Sequence, residues 1–381
     1  MKNMLMMKRT ILTCLPALLL SAACTKTAET VDPYQSDDTA RVKVTLGLEG
    51  MAQTRAGDDS RLDDDAYKKQ SRISDGTRAT TLIYALYDAN GEALKIKDPG
   101  SGKLMKQVVR EGVRFPFSEN LEFNLVKGLE YTLVFWAQSP EGDHYYDTRD
   151  LKNIIVKYDD PWQQNNDEAR DAFCVSRRLT ITQDELNLQV VLRRPFAQIN
   201  IGFPKGEYAT WTTTTNGTEI RKSSISISGA GNRFDLVADK VLGTDAKISF
   251  GLGTIPHLQE DFGCPDLEID LDRNAGINEG EQFIWASMCY ILVPNYRDET
   301  DAEDDADNTF MYSTLIDIPE ICFLDSDGER KVLTPENSDL TNIPVQNNHR
   351  TNIIFKDLFG YDVRILVDID SRYAGDQPNE E

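Results

Sequence analysis

The stretch at residues 41–50, RVKVTLGLEG, alternates between apolar and polar positions. Its apolar members are Val42, Val44, Leu46 and Leu48, and a charged residue, threonine or glycine follows each of them. A repeat of two residues is typical of a β-strand with one face buried and the other exposed to solvent. The segment therefore predicts a well-formed first strand, placed just before a polar stretch at residues 56–80.

Strand patterns continue along most of the chain. Asn90-Gly91 is a strong hairpin-turn signal, and Lys127-Gly128 separates two further strand-like runs. The run from Leu133 to Ala137 is continuously apolar, as in a strand buried on both faces. Helical periodicity is scarce, with at best one short helix near residues 167–173. Short strands separated by Gly, Pro, Asn and Asp predict an all-β chain of sandwiches with Greek-key connections.

The length favours more than one domain. A proline at position 195 interrupts the long β run LNLQVVLRRPFAQINIGF, which predicts an edge, a bulge or a crossing between sheets. We place a domain junction there, giving an N-terminal β-sandwich at residues 56–192 and a C-terminal β-sandwich at residues 193–381. The alternative is a bend within one large sandwich.

The N-terminus predicts export. Lys2, Lys8 and Arg9 precede an apolar stretch at residues 11–22, which is too short to span a bilayer, and small residues end it. We interpret residues 1–23 as a signal peptide. Because Cys24 follows Ser21-Ala22-Ala23, this end resembles a bacterial lipoprotein box, in which the cysteine is lipidated; Ser21 stands where leucine is usual. An ordinary cleaved secretory protein is the alternative.

The net charge, the cysteine spacing and the absence of catalytic motifs argue against several classes of function. The formal net charge of −22 disfavours nucleic-acid binding, because an acidic surface repels phosphates. The mature chain would retain four widely spaced cysteines, Cys174, Cys264, Cys289 and Cys322, which form no CxxC pair and leave disulfide pairing open. The fingerprints of hydrolases, metalloproteases, P-loop proteins and dinucleotide-binding proteins are also absent from the sequence. We therefore expect neither catalysis nor a cofactor.

Two weaker binding signals remain. Asp270, Asp272, Asn274 and Glu281 have the spacing of calcium ligands in an EF-hand-like loop, but Ala275 occupies the position that requires glycine. An acidic solvated loop is the favoured interpretation. A glycan-binding platform could use aromatic side chains, although aromatics in strands are more often core residues. These aromatic residues are Trp136, Tyr145, Tyr146, Trp162, Trp211 and Trp285.

Several of these features together resemble the fimbrillins, the type V pilins of Bacteroidia. The resemblance rests on the lipoprotein-type leader, the first β segment followed by Thr54-Arg55-Ala56, and the motifs RRPFAQINIGF and IPVQNNHRTNIIFKDLFGYDVRILVDID. It implies two transthyretin-like sandwich domains and transport to the outer membrane as a lipoprotein. It also implies cleavage by an arginine-specific protease, which releases the first strand. A strand from the C-terminal region of the next subunit then fills the groove.

Mapped onto this sequence, the resemblance places the cut at Arg55-Ala56, so residues 24–55 form a lipidated pro-segment with a removable strand. Arg61, Arg72 and Arg78 are competing cleavage sites. The candidate donor strand is YDVRILVDID, whose alternating apolar residues are Val363, Ile365, Val367 and Ile369. The alternative is that this strand belongs to its own C-terminal sandwich.

The resemblance implies a fimbrial subunit at the cell surface, attached to the outer membrane through lipid on Cys24 before processing. Its partners would be other fimbrial subunits, with host or bacterial surface glycans or proteins as adhesion targets. Two alternatives stay open. One is an uncleaved surface lipoprotein that binds glycans, as in starch-utilisation accessory proteins. The other is a tip or anchor subunit.

Overall fold

A computed structural model describes residues 38–48, 78–119, 121–158, 163–244, 247–258, 283–294, 313–334, 340–348, 350–355 and 365–370. These residues form an all-β fold with one α-helix, α1 (Lys205–Thr214). The strands of the first half are β1 (Thr39–Leu48), β2 (Thr81–Asp88), β3 (Ala93–Leu94), β4 (Ile96–Lys97), β5 (Leu104–Met105), β6 (Gln107–Arg110), β7 (Glu122–Val126), β8 (Glu130–Gln138), β9 (Tyr146–Asp147), β10 (Ile154–Val156), β11 (Ala172–Thr180) and β12 (Glu185–Leu192). The strands of the second half are β13 (Phe196–Pro204), β14 (Ile220–Ser228), β15 (Arg233–Asp235), β16 (Lys240–Leu242), β17 (Ile248–Thr254), β18 (Phe283–Leu292), β19 (Ser313–Asp325), β20 (Arg330–Leu333), β21 (Ile343–Gln346), β22 (Arg350–Phe355) and β23 (Ile365–Asp370). The prediction of an all-β chain is confirmed.

Two sheets enclose the N-terminal core. One has the order β12-β1-β7, and the other has the order β11-β8-β2-β3, with β6 also paired to β2. The alternating apolar face of β1 belongs to the same hydrophobic cluster as Leu82, Tyr84 and Phe135 of the second sheet. The first strand is thus an integral part of this core.

A second pair of sheets forms the C-terminal sandwich. Their strand orders are β18-β13-β22-β23 and β17-β14-β19-β20, with β21 paired to the other end of β19. Aromatic rings pack between the two layers. The ring of Phe203 on β13 lies 5.3 Å from that of Phe323 on β19 in the opposite sheet, and 5.3 Å from that of Phe355 on β22 in its own sheet, between ring centroids. Apolar burial between these sheets accounts for the long hydrophobic runs of the second half.

The two sandwiches are connected by a small shared sheet and by a shared hydrophobic cluster, in addition to the chain that links them. A small sheet, β16-β15-β10-β9, takes strands from both sides of the junction predicted at Pro195. Ile83 and Trp136, on the rear face of the β11-β8-β2-β3 sheet, also belong to the hydrophobic cluster that fills the C-terminal sandwich. The division at residues 192 and 193 stays a prediction, and these contacts show that the two halves pack against each other.

Both predicted turns are present, but they connect the strands in different ways. Asn90-Gly91 forms the β2–β3 turn, with Gly91 at a φ of 74°, and Asp88 accepts hydrogen bonds from the backbone of Asn90 and Glu92. At Lys127-Gly128 the two expected strands are present, but β7 pairs with β1 whereas β8 pairs with β2 and β11. This turn therefore carries the chain from one sheet to the other.

The break at Pro195 is a crossing between sheets. β12 ends at Leu192 beside β1, and β13 begins at Phe196 in the C-terminal sandwich. Of the three possibilities that the proline left open, the structure shows the crossing.

The α-helix α1 was not predicted. Its sequence, KGEYATWTTT, contains β-branched threonines, which are poor helix formers, and has no clear apolar stripe. The threonine hydroxyls instead donate to carbonyls one turn back, as Thr212 does to Tyr208 at 2.9 Å and Thr213 to Ala209 at 2.9 Å. Near residues 167–173 there is only a 3₁₀ turn (Glu168–Arg170), followed by β11.

Candidate functional site

The first strand lies in the middle of its sheet. β1 runs parallel to β12, from the pair Arg41–Glu185 to the pair Leu48–Leu192. On its other side it runs antiparallel to β7, from Thr39–Val126 to Lys43–Glu122. Beyond β7, the backbone of Val44 donates to Leu121 at 2.9 Å, and Leu46 and Phe117 exchange hydrogen bonds of 2.7 and 2.8 Å. Both edges of β1 are therefore occupied along most of its length.

The inner face of β1 is completely buried. Val42 and Leu46 have no exposed surface, and Ala40, Val44 and Leu48 are also buried. The facing layer includes the aromatic group of Tyr84, whose ring lies 6.2 Å from that of Phe123 and 6.0 Å from that of Phe135. The alternation that predicted a half-buried strand is confirmed, residue by residue, along this face.

The outer face of β1 carries two basic side chains held by acidic residues on the neighbouring strands. Arg41 donates through Nε and Nη2 to Glu122 of β7, at 3.0 and 2.5 Å. Lys43 donates through Nζ to Glu185 of β12 at 3.0 Å. The hydrogen bond and charge of Glu122 raise the pKa of Arg41, and the hydrogen bond and charge of Lys43 lower the pKa of Glu185. Because all four groups are exposed, each pair stabilises the fold only slightly.

We define the β1 groove as the space that β1 occupies between β7 and β12, over the apolar layer that includes Tyr84. Its walls carry backbone groups on both sides, and its floor is apolar. Such a groove is suited to hold an extended strand with alternating apolar residues, because backbone hydrogen bonds supply affinity and the floor selects the side chains.

The predicted processing residues lie outside this described region. Cys24, Arg55 and Ala56 fall outside the described residues, and so do the competing Arg61 and Arg72. Arg78 is exposed, just before the buried Ala79. The chain is described up to Leu48 and again from Arg78, so the proposed cut falls in the connection between β1 and β2.

The candidate donor strand is partly described. Val363 lies outside the described residues, whereas Ile365, Val367 and Ile369 belong to β23. β23 pairs antiparallel with β22, from Arg350–Asp370 to Phe355–Ile365, at one end of the four-stranded sheet. In this chain the segment therefore lies in its own C-terminal sandwich, far along the sequence from the β1 groove.

Neither weaker binding signal gains support. Asp270, Asp272, Asn274 and Glu281 all fall outside the described residues. Among the residues that the structure describes, no group of three or more His, Cys, Asp or Glu side chains could hold a metal ion. Cys174, Cys289 and Cys322 are buried free thiols, and burial raises the pKa of each.

The aromatic side chains mostly belong to the core. Trp136, Tyr145, Tyr146 and Trp285 are buried, Trp211 is half-buried, and Trp162 lies outside the described residues. Trp136 donates through its indole nitrogen to Gln138 at 2.8 Å and packs edge-on against Tyr146. The four buried rings cannot stack on a surface glycan, so a platform built from them is wrong.

A mostly buried polar segment was not predicted from the sequence. Residues 163–171, here called the polar strap, run between the two C-terminal sheets. Asn166 donates to Ser223 at 3.0 Å and to the Gly253 carbonyl at 3.2 Å, and its Oδ1 accepts from the Met288 backbone at 2.7 Å. Asn165 donates to Ser287 at 2.7 Å. The one local signal was the Asn165-Asn166 pair, because asparagine adopts left-handed backbone readily and Asn166 has a φ of 66°.

The strap ends in a buried ion pair. Arg194 donates to both carboxylate oxygens of Asp171, at 2.6 and 2.9 Å, and its guanidinium lies 4.2 Å from the centre of the Phe173 ring. This bidentate contact joins the end of the strap to the crossing between β12 and β13.

A family model decides where the chain belongs. A model described as a family of unknown function, DUF6562, matches residues 35–260, which is more than half of the 381 residues. The chain belongs to DUF6562. The matched region of this DUF6562 member contains β1, both strands that flank it, and the polar strap. No curated protein matches the chain.

Solved structures show only distant similarity to this DUF6562 member. The C-terminally truncated tip fimbrial protein Mfa3 of Porphyromonas gingivalis is 12% identical, with a TM-score of 0.37, covering 87% of this chain and 99% of that one. A fimbrial assembly protein of Parabacteroides distasonis is 11% identical, with a TM-score of 0.32, covering 87% and 99%. At such values the similarity carries no functional argument. Within the described residues, no helix is long and apolar enough to cross a membrane.

Proposed function

We propose that this chain is a structural subunit of a cell-surface fimbria. It is exported as a lipoprotein, held at the outer membrane through Cys24, and cut between Arg55 and Ala56. The cut releases β1, and a strand from another subunit fills the β1 groove. The assembled fimbria then contributes to adhesion. The observation that carries this proposal is the central position of β1, a strand with a buried apolar face that is enclosed on both edges and precedes every other strand of the described chain.

The free energy contributed by burial of β1 indicates that another strand must replace it after cleavage. Burying a valine or leucine side chain contributes about 1.5–3 kcal/mol, so the four on β1 contribute about 6–12 kcal/mol. The whole free energy of unfolding of a domain is about 5–15 kcal/mol. A chain that lost β1 would therefore lose most of its stability, and it would expose the apolar floor and two unpaired strand edges. Such a groove captures an extended strand.

The proposed donor is the segment at residues 362–370 of a second copy. Its apolar residues recur at every second position, as on β1. Within the described part of the chain, β23 is hydrogen-bonded to β22 alone, so it can leave the sheet by giving up a single ladder. A strand at a sheet edge is the element that exchanges at least cost.

The test is the mature N-terminus of the surface-extracted protein, measured by mass spectrometry. We expect Ala56 at the N-terminus, and we expect Arg55→Ala to leave acylated Cys24 there and to abolish polymers. Arg61→Ala, in the same polar stretch, is the matched control and should leave processing unchanged.

A native chain that keeps acylated Cys24 would refute the polymerising subunit and would favour an anchor or an uncleaved glycan-binding lipoprotein. Binding of the acylated chain to a glycan array would identify it as the uncleaved glycan-binding lipoprotein. Cleavage at Arg55 without self-assembly would instead indicate a tip subunit.

A further inference from the structure

The walls of the β1 groove carry an acidic pair, Glu122 on β7 and Glu185 on β12. Both carboxylates lie beside the N-terminal half of β1, where Arg41 and Lys43 neutralise them at 2.5 and 3.0 Å. If β1 is removed, these two basic groups leave with it. Two negative charges then remain, one on each wall of the groove beside the position of the N-terminal half of β1. An incoming strand must present its own charges to this pair.

We propose that Glu122 and Glu185 set the direction in which the incoming strand enters the groove, making it run the same way as β1. This inference rests on the proposed function and names the occupant as residues 362–370 of a second copy. It assigns the two glutamates a specificity role that the stability of the unprocessed chain does not require.

The apolar residues of the donor cannot set this direction. In the direction of β1, Val363 and Ile369 occupy the sites of Val42 and Leu48. In the opposite direction they exchange these two sites. The four sites are filled in either case, because a period of two is symmetric under reversal.

Charge distinguishes the two directions. In the direction of β1, Asp362 and Arg364 occupy the positions of Arg41 and Lys43, so one attractive partner faces the acidic pair. In the opposite direction, Asp370 and Asp368 occupy these positions, and both repel it. Exposed charge pairs of this kind change an equilibrium only modestly. We expect a preference of about 2- to 30-fold for the direction of β1 at low ionic strength, decreasing with added salt.

Cysteine cross-linking in the processed, polymerised chain reads the direction without altering any charge. The register places Leu48 opposite Leu192 and Val42 opposite Leu186. Ile369→Cys should therefore form an inter-subunit disulfide with Leu192→Cys if the donor runs as β1 does, and with Leu186→Cys if it runs in the opposite direction. Replacing Cys174, Cys289 and Cys322 by alanine and Cys264 by serine removes the native thiols of the processed chain, so that only the introduced pair can form the link.

The expected result is a predominant link to position 192 that shifts toward position 186 when Glu122→Lys and Glu185→Lys are introduced together. Glu130→Lys, an exposed charge reversal on β8, is the matched control and should leave the ratio of the two links unchanged. A predominant link to position 186 or a ratio insensitive to the double reversal would overturn this inference alone. Polymers with neither link would overturn both this inference and the donor segment named under the proposed function. A processed chain that forms no polymers would overturn the proposed function itself.

Discussion

Replacing Leu46 by alanine tests whether β1 belongs to the core only before processing. Leu46 has no exposed surface and sits in the cluster with Tyr84 and Phe135. Truncating a buried leucine typically costs about 2–5 kcal/mol, because it removes apolar contact and leaves a cavity. With a urea m-value of about 3 kcal/mol/M, the unfolding midpoint of the unprocessed chain should fall by about 0.7–1.7 M.

The assay is urea unfolding of the unprocessed chain, followed by tryptophan fluorescence, with Thr45→Ala as the matched control. Thr45 lies on the outer face of the same strand, and its truncation should change the free energy of unfolding by less than about 0.5 kcal/mol.

The same Leu46→Ala change should have no effect on the stability of processed, polymerised protein, because β1 is then absent. An unprocessed variant as stable as the parent would refute the placement of Leu46 in the core. A variant whose processed polymer is equally destabilised would refute the removal of β1.

Two further predictions concern groups away from β1. Asn166→Ala should lower the free energy of unfolding by about 1–3 kcal/mol, because it removes the acceptor of the Met288 backbone N–H and the donor to Ser223 and the Gly253 carbonyl. Denaturation of this variant beside Asn124→Ala, on the exposed face of β7, measures the change. Burial raises the pKa of Tyr84 from 10.0 to about 12, so between these values the unfolded chain loses the tyrosine proton more readily than the folded chain. The stability contribution is therefore intact below pH 10 and decreases as pH rises, by at most about 1.4 kcal/mol per pH unit. Between pH 8 and 11 the unfolding temperature should fall less for Tyr84→Phe than for the parent, and equal decreases would contradict the raised pKa of Tyr84.

The strand content of this chain could be predicted because neighbouring residues in the sequence carry the signal for it. On β1 the side chains alternate with a period of two, and Asn90-Gly91 supplies a turn that few other dipeptides form as well. The partners of β1 could not be predicted in the same way. β12 lies beside it only because the chain returns after more than a hundred residues, and many strands of this sequence have the same apolar pattern.

The burial of the polar strap, by contrast, could not be predicted from its local sequence. Residues 163–171 contain Asn165, Asn166, Glu168 and Asp171, a composition that indicates a solvated loop. They are buried because Ser223, Ser287 and Arg194, all distant in sequence, supply hydrogen-bond partners. Since the partners create the environment, no window of the sequence around the strap could reveal it. The helix α1 was missed for a related reason, because threonine favours strands unless its hydroxyl can bond the helix backbone.

The central placement of β1 also has a mechanical consequence. A strand at the edge of a sheet can be peeled away by a sideways pull, one hydrogen bond after another. Tension applied along the axis of β1 from its N-terminal end would instead load the ladders to β7 and β12 together. Any strand seated in the same position would be gripped in the same way, so it would resist forces that are far larger than those needed to unzip an edge.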